Sequence, residues 1–303
     1  MMLETIAGLP KITKLCIIVI VKGDMKGILK VIWNKRLVPQ AEEQNILSAV
    51  QFGNRKGRMA LDTLLLKIVT TYSIRLLCLN GAILNNDALA CYDRMIPECT
   101  VLHLRSLGLP ELATKCSVLL NHNMQHHVKT AHGISKTLYR HIRRYRKFSE
   151  GQGKTSSPSN WLFTSSTLLN ALHSLCTGLF ITSICKKIVS KRVAEAYVDD
   201  SDCTLADQRT QDDSPTQICN KFENIAQTWE QLLFSSGGLL SLDKTFWWLI
   251  WWDWTNGEPE LANKNKLPLE ATIHLGYDQT KHTLNMHHLH SVTSRGRRRR
   301  RRG

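Results

Sequence analysis

Apolar and polar positions along the chain follow two rhythms, and the changes between them predict the elements. A continuous apolar run over residues 15–21 predicts a buried strand, and Ile28, Leu29, Val31, Ile32 and Trp33 place a helix over about 25–36. A basic turn at 53–58 leads into a helix expected over 60–70. Strands are expected near 74–79 and 82–84, the second ending at Asn86-Asp87. Pro97 suits a first helical turn and Gly108 a stop, which predicts a helix over 97–107; a second is expected over 111–124. Residues 126–145 read as a basic hairpin around Ala131-His132-Gly133, and 150–160 as a loop rich in Gly, Ser and Pro. A buried helix is expected over 165–185 and a strand over 193–198 running into a tight turn. After a polar linker at 207–216 come a helix over 218–234, a break at Gly237-Gly238, and an aromatic strand over 246–254. Beyond about 257 the pattern weakens, and the arginine tail is low in complexity.

Strands and helices mix without a regular βαβ rhythm, so the expected class is α+β with an antiparallel sheet. At 303 residues the chain can bury a sizeable core in one large domain or two modest ones. Residues 165–185 are uncharged over 21 positions, long enough to cross a bilayer, but Asn170, His173 and several Ser and Thr fit a core helix better. No membrane partner is expected, nor a signal peptide, because Glu4 stands where a basic n-region would and Pro10 interrupts the apolar run.

The net charge is +15, and Arg295 with the run Arg297 to Arg302 carries seven of those positives, leaving +8 for the rest. A polyanionic partner follows, nucleic acid rather than membrane. Nine cysteines without a C-x-x-C pair argue against a disulfide framework or a zinc ribbon, and for a reducing, intracellular compartment with which a nucleus is compatible.

The chemistry concentrates at Tyr197-Val198-Asp199-Asp200, two adjacent carboxylates at the tip of a strand. Like charges that close repel unless a cation lies between them, and hard oxygen donors suit Mg²⁺. An exposed acidic turn is the other reading that these residues leave open. A third carboxylate for metal-assisted phosphoryl transfer is available at Asp87, the end of a strand, followed by Tyr92 and Asp93. Further along come Gly151-Gln152-Gly153 with Ser157-Pro158, then Gly238 with Lys244.

In this order, the motifs resemble those of the reverse transcriptases of non-LTR (LINE-like) retrotransposons: D-x₄-[YF]-D, then QG-x₃-SP, then [YF]-x-DD, then a glycine and a downstream lysine. Residues 51–62, Gln51-Phe52-Gly53-Asn54-Arg55-Lys56-Gly57-Arg58 onward, are similar to the family's fingers motif. The likeness covers roughly residues 11–255. It implies right-hand polymerase fingers (1–80 and 111–150) and palm (81–110 and 151–256), with an antiparallel palm sheet backed by helices. The thumb is expected to be truncated or absent, with 257–303 a degenerate or disordered basic tail.

The resemblance also implies roles. Asp87, Asp199 and Asp200 would hold two Mg²⁺ (or Mn²⁺) ions between a primer 3′-hydroxyl and the incoming triphosphate. Tyr92 would exclude a ribose 2′-hydroxyl, or else be a core aromatic. Arg55, Lys56 and Arg58 would meet the triphosphate or template backbone, or else form a solvated basic loop. Gln152 and Gly153 would contact template and nucleotide, Tyr197 would line the site, and Lys244 would protonate pyrophosphate or be an ordinary exposed lysine. The tryptophans of 246–254 fit a doubly covered core strand better than a base-stacking platform.

The implied activity is RNA-directed DNA polymerase, with an RNA template, a DNA primer and dNTPs as partners, within a larger retroelement polyprotein or ribonucleoprotein. Tyr92 and the Tyr-x-Asp-Asp form disfavour an RNA-dependent RNA polymerase. A basic residue and proline expected in the first fingers strand are replaced by Leu15-Cys16-Ile17, which keeps a second expectation open: a catalytically inactive nucleic-acid-binding remnant of a retroelement.

Overall fold

The computed structural model describes residues 24–123, 125–127, 129–130, 133–140, 154–183, 185–209, 212–262, 273–275 and 282–284. The strand expected at 15–21, Gln152, Gly153 and the arginine tail lie outside the described residues.

The N-terminal helical run joins α1 (Asp24–Leu29), a π-helical stretch (Lys30–Leu37) and α2 (Val38–Glu43). Next comes α3 (Ala60–Leu76), whose first turn is capped by Asp62, with Oδ2 accepting from the Met59 N–H at 2.7 Å. The strand expected at 74–79 is a correction. The helix continues through Ile74, which is fully buried, and a turn at Leu77-Cys78 ends it. Then follow β1 (Gly81–Asp87), the short α4 (Cys91–Arg94), α5 (Pro97–Ser106) and α6 (Glu111–His122). The basic hairpin is described as two short ribbons: β2 (Gln125–His126), β3 (Lys129–Thr130), β4 (Gly133–Ile134) and β5 (Tyr139–Arg140) pair β3 with β4 and β2 with β5.

The helix expected over 165–185 is α7 (Ser157–Leu175), shifted toward the N-terminus, and β6 (Leu179–Thr182) occupies its expected end. No helix among the described residues is long and apolar enough to cross a membrane. After β7 (Val189–Arg192) come β8 (Ala194–Tyr197), a Val198-Asp199 turn and β9 (Asp200–Asp207). Next is α8 (Pro215–Ser235), with Ile218, Phe222, Ile225, Trp229 and Leu233 on one buried stripe. Its start is set locally: Ser214 Oγ accepts from the Gln217 N–H, Gln217 Oε1 accepts from the Ser214 N–H, and Pro215 opens the helix. The aromatic strand is broken at Trp251 into β10 (Phe246–Ile250) and β11 (Trp252–Thr255). The chain keeps strand structure past 257, in β12 (Glu258–Leu261), β13 (Ile273–Leu275) and β14 (His282–Leu284), and Ile273 and Leu275 are buried in the main core, unlike the tail expected there.

The architecture is α+β. Its six-stranded sheet runs β10-β1-β9-β6-β7, with β8 also on β9, and departs from the antiparallel expectation at one place, where β6 and β9 pair in parallel. One sheet face, carrying Ala82, Leu84, Cys203, Leu205 and Trp247, packs against α7 and α8 through Leu169, Leu172, Phe222 and Trp229. The other carries Ile83, Ile250 and Ala206 against Ile74 of α3 and Leu79. Trp247 and Trp248 therefore join different cores, as a strand covered on both faces requires.

Candidate active site

Antiparallel register places the acidic residues together. Asn86 lies opposite Ser201 and Asp87 opposite Asp200, so Asp87 at the end of β1 and Asp200 at the start of β9 share a face. Asp199 sits in the adjoining turn, where its carbonyl accepts from the Ala88 N–H at 3.1 Å. Behind them, on the core side, Asn86 Oδ1 accepts from Ser201 Oγ at 2.6 Å and from Trp229 Nε1 at 3.0 Å, which ties β1 and β9 to α8.

Lys244 ends a 3₁₀ turn (Leu242–Lys244) that is fastened to β1 by the Ser241 N–H donating to the Asp87 carbonyl at 2.8 Å. Its Nζ lies 2.5 Å from Asp87 Oδ2, and that partner raises the lysine's pKa. The carboxyl of Asp199 is held above the ordinary aspartate range, first by burial and then by the charges of Asp87 and Asp200, with Lys244 acting in the opposite direction. The carboxyl of Asp200 is raised too, by burial and by Asp87. Tyr92, in α4, packs against the main core, and burial, Cys91 and Asp199 push its hydroxyl upward; the neighbouring Cys91 thiol is raised by burial and Asp199. Tyr197 faces Asp200 across the hairpin.

The site is two pairs of charge rather than one closed cluster. Asp87 faces an ammonium, and its charge raises the carboxyls of both Asp199 and Asp200. Among the described residues no group of three or more His, Cys, Asp or Glu side chains is gathered closely enough to hold a metal ion.

The basic residues of the 53–58 turn separate. Arg55 is buried and paired: its guanidinium binds the Glu42 carboxylate through Nε and Nη2, and Nη1 donates to the carbonyls of Ser48 at 2.7 Å and Gln51 at 3.0 Å. In this arrangement it fastens its own loop. Lys56 is exposed. Arg58 lies over the Phe52 ring, 4.9 Å from its centroid, and donates to the Ala49 carbonyl at 3.0 Å.

Sequence reasoning missed the residues that hold the turn. Val198 has φ of +59°, a conformation that β-branched residues avoid and that costs on the order of 1–3 kcal/mol. At this position of a two-residue hairpin glycine is the usual occupant. Gln51 and Trp161 both hydrogen-bond to the Val198 peptide. The strand-like bridge from Gln51 to Ala196 brings the segment that precedes the basic turn alongside β8. No local signal in the sequence marks this contact, because Gln51 and Val198 are 147 positions apart.

Lys67 of α3 reaches Asp202 at 2.7 Å, and Asn85 Nδ2 donates to the same oxygen at 2.8 Å. Opposite Asp202 across the hairpin stands Glu195, whose carboxylate is bound by Arg192 at 3.0 Å. These ion pairs continue the acidic face one step further from the turn.

No family model matches the chain, and no curated protein sequence matches it. Among solved structures it is similar to telomerase from Candida albicans in complex with a TWJ fragment of telomeric RNA, at 16% identity and a TM-score of 0.45 over 72% of this chain. It is also similar to apo telomerase from Candida tropicalis truncated from its C-terminal domain, at 14% identity and a TM-score of 0.48 over 78% of this chain. The chain spans 34% and 43% of the lengths of those two proteins.

Proposed function

We propose that this chain supplies the fingers and palm of an RNA-directed DNA polymerase, transferring deoxynucleotides to a primer 3′-hydroxyl on an RNA template, in the manner of non-LTR retrotransposon reverse transcriptases. The observation that carries the reading is the β1–β9 register, which sets Asp87 opposite Asp200 with Asp199 in the turn beside them. Motifs more than a hundred residues apart in the sequence thereby meet at one end of two neighbouring central strands.

Mg²⁺ fits this site by donor chemistry: the carboxyls of Asp199 and Asp200 are raised by burial and by Asp87, and a divalent cation would relieve that charge. Asp87, Asp199 and Asp200 are the residues that would hold it. Bound divalent ions would lower the pKa of the primer hydroxyl and offset charge on departing pyrophosphate. The side chains contribute the rest. Tyr92 stands beside Asp199, where its ring would press on the sugar at C2′. Lys244 Nζ holds a proton within the acidic site, available to a leaving phosphate oxygen. Gln152 and Gly153 would meet template and nucleotide, and exposed Lys56 the backbone phosphates.

A second reading, an inactive nucleic-acid-binding remnant, is favoured by one arrangement: Lys244 already neutralises Asp87, and the three carboxylates are not gathered. Primer extension on an RNA template with Mg²⁺ or Mn²⁺ separates the two. The polymerase reading requires incorporation by the wild type and a loss of at least about a thousandfold in Asp199→Asn. Equal incorporation by both proteins removes the role given to Asp199. RNA binding with steep salt dependence and no incorporation under either metal selects the remnant.

A further inference from the structure

We infer that Gln51 is a positioning residue for the Val198-Asp199 turn, fixing where the Asp199 carboxylate lies by holding the peptide that precedes it. Gln51 is fully buried. Its Oε1 accepts from the N–H of Gly53 at 2.9 Å and of Val198 at 3.1 Å, while Nε2 donates to Ser165 Oγ at 2.9 Å and to the Val198 carbonyl at 3.2 Å. A carboxamide has two donors and two acceptor sites, and here all four are engaged. Two of them grip the same residue from its N–H and its C=O.

What they grip needs gripping. A β-branched residue at positive φ persists only where its surroundings over-determine it. Trp161 Nε1 of α7 adds a third hydrogen bond, to the Val198 carbonyl at 2.5 Å. Gly53 closes the fourth side, where a Cβ would stand 2.4 Å from Val198 N, so only glycine lets the fingers segment approach this closely. Relaxation of Val198 to negative φ would turn the next peptide and carry the Asp199 carboxylate away from Asp87 and Asp200. The sequence pattern absorbed Gln51 and Gly53 into a fingers motif without giving them work; the geometry assigns them to the catalytic hairpin. The effect on rate rests on the polymerase reading above, whereas the effect on the turn does not.

The test compares wild type, Gln51→Met, Gln51→Glu and the double variant Gln51→Met/Val198→Gly. Two readouts are followed: primer extension, and exchange of the indole N–H protons of Trp161 and Trp229 by NMR. Trp229 donates to Asn86 Oδ1 at 3.0 Å and reports the core away from the clamp. In Gln51→Met the Trp161 proton should exchange about tenfold faster with Trp229 unchanged, and kcat should fall about 10- to 100-fold with the KM for nucleotide held within about twofold. Gln51→Glu keeps the acceptor oxygen but sets a second carboxylate oxygen against the Val198 carbonyl in a buried site, so it should fall at least as far as Gln51→Met. The double variant should regain most of the lost kcat, because glycine takes positive φ without strain. Acceleration of both indoles together, or of neither, overturns the inference, as does a double variant no better than Gln51→Met in an active background. If the wild type incorporates nothing, the polymerase reading falls, and the two-indole comparison still decides the clamp.

Discussion

Lys244 Nζ lies 2.5 Å from Asp87 Oδ2, joining residues 157 positions apart, and so places an ammonium inside the acidic site. Its influence extends past its partner. Lys244 also lowers the pKa of Asp199 and Asp200, partly offsetting burial and the charge of Asp87.

Replacing Lys244 by Met should therefore raise the Asp199 carboxyl further above the ordinary aspartate range in metal-free buffer. Carboxyl ¹³C titration measures this, and saturating Mg²⁺ should pull both proteins back down. An Asp199 titration indifferent to Lys244 would mean that the ammonium does not act on the turn.

Asp199→Asn should make the protein more stable at pH 7, even as it removes incorporation. The sign follows from the raised pKa. Between the unperturbed value of 3.8 and the raised one, the folded state holds a proton that the unfolded state has lost, so stability falls as pH rises through that window. Above it the ionised carboxylate is a constant cost, which Asn does not carry. A higher Tm is therefore expected for the variant at pH 7. The gain should shrink toward pH 3, where the carboxyl is protonated in both states. A lower Tm at pH 7 would contradict the electrostatic account.

The acidic hairpin was legible because its signals are local: alternation over residues 193–198, a tight turn, and a strand ending at Asp87. The wider sheet was less so. The uncharged stretch from 165 to 185 reads as a single core helix, and its true divide lies near Gly178, where a Cβ would come within 2.6 Å of the carbonyls of both Arg192 and Thr204. That packing constraint is invisible in one dimension. Ile74 was drawn into an expected strand by its β-branched, apolar character, yet it closes the last turn of α3 on the sheet. The fate of Arg55 was hidden for another reason: Glu42, its partner, lies in a different element, and nothing in a basic loop says which arginine turns inward.

Gly53→Ala should cost more than its size suggests. The added Cβ would stand 2.4 Å from backbone Val198 N, which no rotamer change relieves, so a loss of about 1–3 kcal/mol in urea denaturation is expected. Gly27, in α1, has nothing within 4 Å of an added Cβ and no positive φ, and Gly27→Ala should instead stabilise by about 0.5–1 kcal/mol. Equal effects from the two substitutions would show that the close approach at the turn carries no strain.

Arg55 distinguishes a phosphate ligand from a structural fastening. Its side chain is 6% exposed against a Glu42 that is 28% exposed, and its donors are divided between that carboxylate and the carbonyls of Ser48 and Gln51. Removing it takes a partner from the half-buried Glu42 carboxylate and from two carbonyls, so Arg55→Ala should cost about 1–3 kcal/mol, the range for lost hydrogen bonds to such groups. Arg55→Lys should recover little of this, because an ammonium cannot reproduce a planar fork that serves a carboxylate and two carbonyls at once. Glu42→Gln should weaken the same loop, since it loses the charge that Arg55 faces; a residue poised for triphosphate would respond in nucleotide KM and leave stability alone. The deciding comparison is urea midpoint against nucleotide KM across the three variants. A changed KM with an unchanged midpoint would return Arg55 to the nucleotide and require its ion pair with Glu42 to open before substrate binds.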